Sequence, residues 1–171
     1  MGKSTKKLTL MAILTTVALI IFIIESLIPI PVPVPGVKLG LANAVTLFAL
    51  FSNQKLTTVN AFTILLCRII LGALFIGRPV VIIYSLAGGL LGFAAQVGVK
   101  RFVSQKQIWV CGAVGAVFHN IGQIFAAMLI TGTPAIAAYL PVLIIAGVLT
   151  GVTTGLVAQF TIARMPVRDT I

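Results

Sequence analysis

Acidic side chains are almost absent from this 171-residue chain, which holds only Glu25 and Asp169 against twelve lysines and arginines. Charged residues of both signs make up 8% of it and hydrophobic residues 60%, whereas a soluble domain carries roughly 25% charged residues. No water-facing surface can be built from that stock, so the chain reads as an all-α integral membrane protein. One histidine and no carboxylate cluster leave no material for a metal site. A Ser-His-Asp triad is equally out of reach, because Asp169 lies in the C-terminal tail. No glycine-rich phosphate loop followed by Lys-Ser/Thr is present, which excludes ATP hydrolysis by this chain, and nothing implies a cofactor. Cys67 and Cys111 both fall inside apolar runs and read as packing residues, not as a disulfide.

The formal net charge of +10 would suggest a nucleic-acid partner in a soluble protein. Here the basic residues sit at the ends of apolar runs, where they act as topology signals, and the partner they imply is the lipid bilayer. The first apolar run is too long for a signal-peptide core and lacks a small-x-small cleavage site, so no cleavable leader is expected.

Six runs are long enough to enter a bilayer at ~20 residues per crossing: about 8–27, 39–51, 57–76, 80–99, 108–130 and 142–162, forming a single domain. A six-transmembrane-helix bundle puts both termini on one side. Nine basic residues then fall on that side (Lys3, Lys6, Lys7, Lys55, Lys100, Arg101, Lys106, Arg164, Arg168) and two, Lys38 and Arg78, on the other. That asymmetry predicts cytoplasmic termini. Gly147, Gly151 and Gly155 form a small-x-x-x-small ridge in span six, shorter versions recur in spans four and five, and such ridges let helix backbones approach closely. The ridge reads either as intramolecular packing or as an interface for a partner.

Polar groups inside a membrane need a partner or an aqueous cavity, and few are present. They are Glu25, Asn43, Arg68, His119, Asn120 and Gln123, with Tyr84 and Ser85 as candidates to join them. At ~1.5 Å per residue, Arg68 and His119 lie roughly 16 Å from the cytoplasmic end, Asn120 about 18 Å, Gln123 about 22 Å and Glu25 about 25 Å. Asn43 enters from the far side, about 6 Å below the outer surface. In a core about 30 Å thick all six lie from the midplane outward. The layer predicts a polar pocket opening outward, with Lys38 and Arg78 at its mouth; the alternative is structural glue, with Arg68 paired to Glu25. The roof would be the stretch between Glu25 and Asn43, where proline at every second position from Pro29 to Pro35 denies helical donors and holds the chain extended.

The segments ESLIPIPVPVPGVKLGLANAVTL and FHNIGQI resemble those of the Gx transporter family, whose members are often labelled heptaprenyl diphosphate synthase component I. The resemblance covers nearly the whole chain. That family is similar to the substrate-binding S components of energy-coupling factor (ECF) transporters, small six-helix proteins that bind a vitamin or similar solute from outside while an ATPase–scaffold module supplies energy. Relatives also occur beside genes for flavin-based extracellular electron transfer and quinone synthesis in Gram-positive bacteria. The resemblance therefore implies a multi-pass protein of the cell membrane of such a bacterium, with an ECF module or a neighbouring quinone or electron-transfer enzyme as partner. S components commonly carry Ala-x-x-x-Ala in the first helix for docking the scaffold, and here Ala12 is followed by Thr16. Prenyl chain elongation needs aspartate-rich clusters to hold magnesium on a diphosphate. With one aspartate, the subunit is expected to be an accessory and not an enzyme.

Overall fold

A computed structural model describes residues 3–28, 40–52, 56–77 and 80–165. Six α-helices make up nearly all of it: α1 Lys3–Ser26, α2 Asn43–Phe51, α3 Thr58–Ile76, α4 Val80–Lys100, α5 Ile108–Thr131 and α6 Leu140–Arg164. Short 3₁₀ turns at Gln105–Gln107 and Pro134–Tyr139 lead into α5 and α6. Five of the helices are long and apolar enough to cross a membrane.

The sixth, α2, is the difference from the sequence reading. It has nine residues, about 13 Å of helix, which is less than half of a hydrocarbon core about 30 Å thick. It begins at Asn43 and not at Leu39, because the chain first turns at Gly40, whose φ is +80°. Eight of its nine residues are buried, and it packs against α1, α3, α5 and α6. It is a half-length plug inside the bundle.

Local signals set the other boundaries. Thr57 and Asn60 form a capping box at the start of α3, Asn60 N–H donating to Thr57 Oγ1 at 3.3 Å and Thr57 N–H to Asn60 Oδ1 at 2.9 Å. That satisfies two of the donors a helix start leaves orphaned. Gln159 of α6 does the same for α5, its Oε1 accepting from Ile108 N–H at 3.1 Å.

Three contacts between helix ends fix the topology. Asn60 near the start of α3 reaches Met11 Sδ near the start of α1 at 3.3 Å. Lys100 Nζ at the end of α4 donates to Leu50 O near the end of α2 at 2.6 Å. Gln159 joins the end of α6 to the start of α5. The start of α1 and the end of α6 therefore lie at one end of the bundle, even though α2 covers only half of its crossing.

Glycine sets how closely α4, α5 and α6 approach. A Cβ on Gly92 would lie 2.8 Å from Gly115 O, and one on Gly151 would lie 2.5 Å from Gly112 O. Gly147 leaves room for the Asn120 amide, and Gly155 abuts Trp109 Cα. The ridge Gly147, Gly151, Gly155 is thus buried on α5 of the same chain, so it is spent on intramolecular packing and is not presented to a partner. Outward faces are apolar: Ile13, Ile20, Leu74, Phe125, Ile145 and Phe160 are all exposed, as lipid contact demands. Cys67 is exposed on that surface, contrary to the packing role expected for it, while Cys111 is buried and donates to Gln96 O at 3.3 Å.

Candidate functional site

The polar residues of the sequence gather where α2 begins. An N–H outside a helix is expensive at membrane depth unless protein satisfies it. The N–H of Gly40, in the turn that enters α2, donates to Glu25 Oε1. The carboxylate also stands where a helix start places its partial positive charge. Asn43, the first residue of α2, accepts from Arg68 Nη2 of α3 at 3.2 Å, and Arg68 lies 5.7 Å from the ring centroid of Phe22. Glu25 and Arg68 are 1% and 2% exposed, a carboxylate and a guanidinium taken out of solvent together.

From the opposite side come α4 and α5. His119 fits against α4 because Gly88 and Gly92 carry no side chain: a Cβ on either would lie about 3 Å from His119 atoms. Gln123, one turn on, shares that face. Phe22, Glu25, Gly40, Arg68, Ser85, His119 and Gln123 enclose a cavity of about 10 Å³, room for the centre of roughly one water. Two of its buried polar atoms, Arg68 Nε and His119 Nδ1, have no hydrogen-bond partner. Among the described residues no three His, Cys, Asp or Glu side chains group as a metal site would need.

Of the residues singled out in the sequence, the fold brings Glu25, Asn43, Arg68, His119 and Gln123 into one cluster. Asn43 sits beside Arg68, buried at the start of α2. Asn120 is elsewhere: it faces α6, its Nδ2 donating to Leu143 O at 2.6 Å. Tyr84 is buried in an apolar cluster with Ile124, Ala127 and Leu143, and its neighbour Ser85 lines the cavity instead. Lys38, Arg78 and the proline stretch 29–35 lie outside the described residues. Ala12 and Thr16 are exposed on the outer face of α1.

The sequence reading passed over two members of the cluster. Phe22 lies three residues before Glu25 and so on the same helix face. Gly40 is signalled only by its place three residues before Asn43. A Gly40→Ala variant is expected to lose this arrangement: the φ of +80° costs a non-glycine residue roughly 1–2 kcal/mol. The new Cβ would also lie 2.9 Å from Asn43 Nδ2 and 3.2 Å from His119 Cδ2. Thermal melting of the purified variant reads the loss, and an unchanged midpoint would contradict this packing.

Neither a curated protein nor a solved structure matches the chain. Residues 14–161 match the family described as heptaprenyl diphosphate synthase component I, and with most of its length covered the chain belongs to that family.

Proposed function

We propose that this protein is an integral membrane solute-binding subunit, similar in role to the S component of an ECF-type transporter. It takes a small polar or anionic solute of vitamin, flavin or prenyl-diphosphate character. The observation that carries the reading is the convergence of Glu25, Asn43, Arg68, Ser85, His119 and Gln123 around a cavity inside an otherwise apolar bundle. Arg68 Nε is buried there without a protein partner, which leaves it to a water or to a solute. A half-length helix whose start points into a polar site is also the arrangement by which membrane transporters hold anionic groups.

The described cavity is the closed form. A solute larger than water enters only when the contact between Glu25 and Gly40 opens and α1 parts from the start of α2. The basic end of the bundle, with Lys6, Lys7, Lys100, Arg101, Lys106 and Arg164, faces the cytoplasm of a bacterial cell, of Gram-positive type. Ala12 and Thr16 offer the small pair on which an ATPase–scaffold module docks.

The test is ligand-dependent thermal stabilisation of the purified protein across a vitamin, flavin and prenyl-diphosphate panel. Arg68→Lys and His119→Gln, which keep polar character, are expected to lose the stabilisation by at least about ten-fold in apparent affinity, the worth of one charge-assisted hydrogen bond. Retained binding in both variants would show the solute to sit elsewhere.

The family description favours a second reading, a non-catalytic membrane accessory of prenyl diphosphate or quinone synthesis, or of flavin-based extracellular electron transfer. With two acidic residues in the whole chain, magnesium-dependent prenyl transfer would fall to another subunit. Co-purification with a neighbouring enzyme, without any ligand shift, would favour it.

A further inference from the structure

A second hollow lies at the end of the bundle where α1 starts and α6 ends, and it shares no lining residue with the Arg68 cluster. It is an open crevice of about 550 Å³ between the end of α2, the end of α4 and the turn before α5, within the size range of small-molecule sites. Leu50, Phe51, Leu56 and Val103 form its apolar wall, and Ser52, Lys100, Ser104 and Gln105 its polar one.

Lys100 is held in place there. Its Nζ donates to Leu50 O at 2.6 Å and stands 5.6 Å from the Phe51 ring centroid. An ammonium has three donors, so the contact with Leu50 leaves capacity for further acceptors. No carboxylate among the described residues neutralises it: Glu25 is committed at Gly40, and Asp169 lies outside the described residues. Arg101 and Lys106 are exposed on the same connection and add to the positive field. Phe102, 87% exposed, projects from that connection as aromatic residues do at the level of lipid headgroups. The Ser104 hydroxyl donates to Gln107 Oε1 at 3.2 Å, a long bond that is easily exchanged for a stronger acceptor.

We propose that this crevice binds a phosphate-headed amphiphile, its phosphate on Lys100 and the Ser104 and Gln105 side chains and its chain along Leu50, Leu56 and Val103. A fixed cation with no carboxylate counter-ion among the described residues selects the anion, and Leu50, Leu56 and Val103 add apolar contact that a lipid can use and a free phosphate cannot. The site is independent of the solute reading above.

The experiment is native mass spectrometry and thermal melting of the full chain in nonionic detergent, with phosphatidylglycerol, phosphatidylcholine or inorganic diphosphate added. Phosphatidylglycerol is expected to be retained and to raise the melting point, phosphatidylcholine not. Lys100→Gln is expected to weaken phosphatidylglycerol binding about five-fold, the effect of one basic residue at an anionic headgroup. Ser104→Asp, which leaves the Leu50 contact in place, is expected to abolish it by repulsion, so the idea remains testable if Lys100→Gln folds poorly. Arg164→Gln, at the same end but outside the crevice, should change nothing. Equal retention of the two lipids, an Arg164→Gln effect as large as that of Lys100→Gln, or binding of diphosphate without binding of lipid would each overturn the proposal.

Discussion

Arg68→Met is expected to be the most damaging single side-chain change in the protein, costing about 3–5 kcal/mol, the usual penalty for removing one partner of a buried charge pair. Methionine keeps much of the arginine's length and its contact with Phe22. What it removes is the guanidinium beside Glu25 and the donor to Asn43. Glu25 is 1% exposed and would remain as a carboxylate inside an apolar bundle without the guanidinium beside it. Glu25→Gln alone strands the opposite charge and should cost a similar amount. The double variant Arg68→Met/Glu25→Gln removes both charges together, and pairs replaced in that way often lose little. Its melting point should therefore lie well above the sum of the two single losses, giving a coupling energy of the order of 2 kcal/mol or more. Additive losses would mean that the two residues do not act as a pair.

The same residues show what could be read from the chain alone. Lengths and apolar runs located the five long helices to within a few residues, because lipid leaves a helix little latitude in length. The existence of a polar cluster was also legible, since the few costly groups in the sequence had to meet one another. The beginning of α2 was not. Residues 40–42 are as apolar as those that follow, and besides local bonds such as Asn43 N–H to Gly40 O at 2.9 Å, the distant contacts of Glu25 on the Gly40 N–H and His119 against Gly40 hold them in a turn. Nor could sequence tell which of two adjacent polar residues would face the cavity. His119 and Asn120 point about 100° apart on α5, and one meets α4 while the other bonds Leu143 of α6. Tyr84 and Ser85 divide in the same way. Depth arithmetic treats a helix as a rod and cannot assign such azimuths. The meeting of Arg68 and Glu25 was legible, because an arginine's long side chain can reach a carboxylate whose backbone lies at a different depth.

Gly112→Ala should then show how the α5 face that carries His119 and Gln123 is kept in register. The added methyl would fall on Gly151 O and lie 2.9 Å from Gly155 Cα. Both are backbone atoms that cannot rotate away, so the helices must separate. In lipid no hydrophobic effect draws them together, and close van der Waals contact is the main attraction. A gap of only 0.5–1 Å forfeits a quarter to a half of that contact energy. A loss of roughly 1–3 kcal/mol follows, the range for overpacking a tight core, and a larger side chain such as Leu should prevent assembly altogether. Gly98→Ala supplies the control, because a Cβ there meets nothing within 4 Å and alanine is the better helix former. Thermal unfolding of the two variants side by side separates a packing requirement from a general intolerance of glycine replacement. Since α5 is gripped by α4 on one side and by α6 on the other, Gly112→Ala should also weaken any ligand held at His119, although Gly112 touches no residue of that cavity. A Gly112→Ala protein that melts with wild type would mean that α5 and α6 are not in backbone contact, and the position of His119 would then need another explanation.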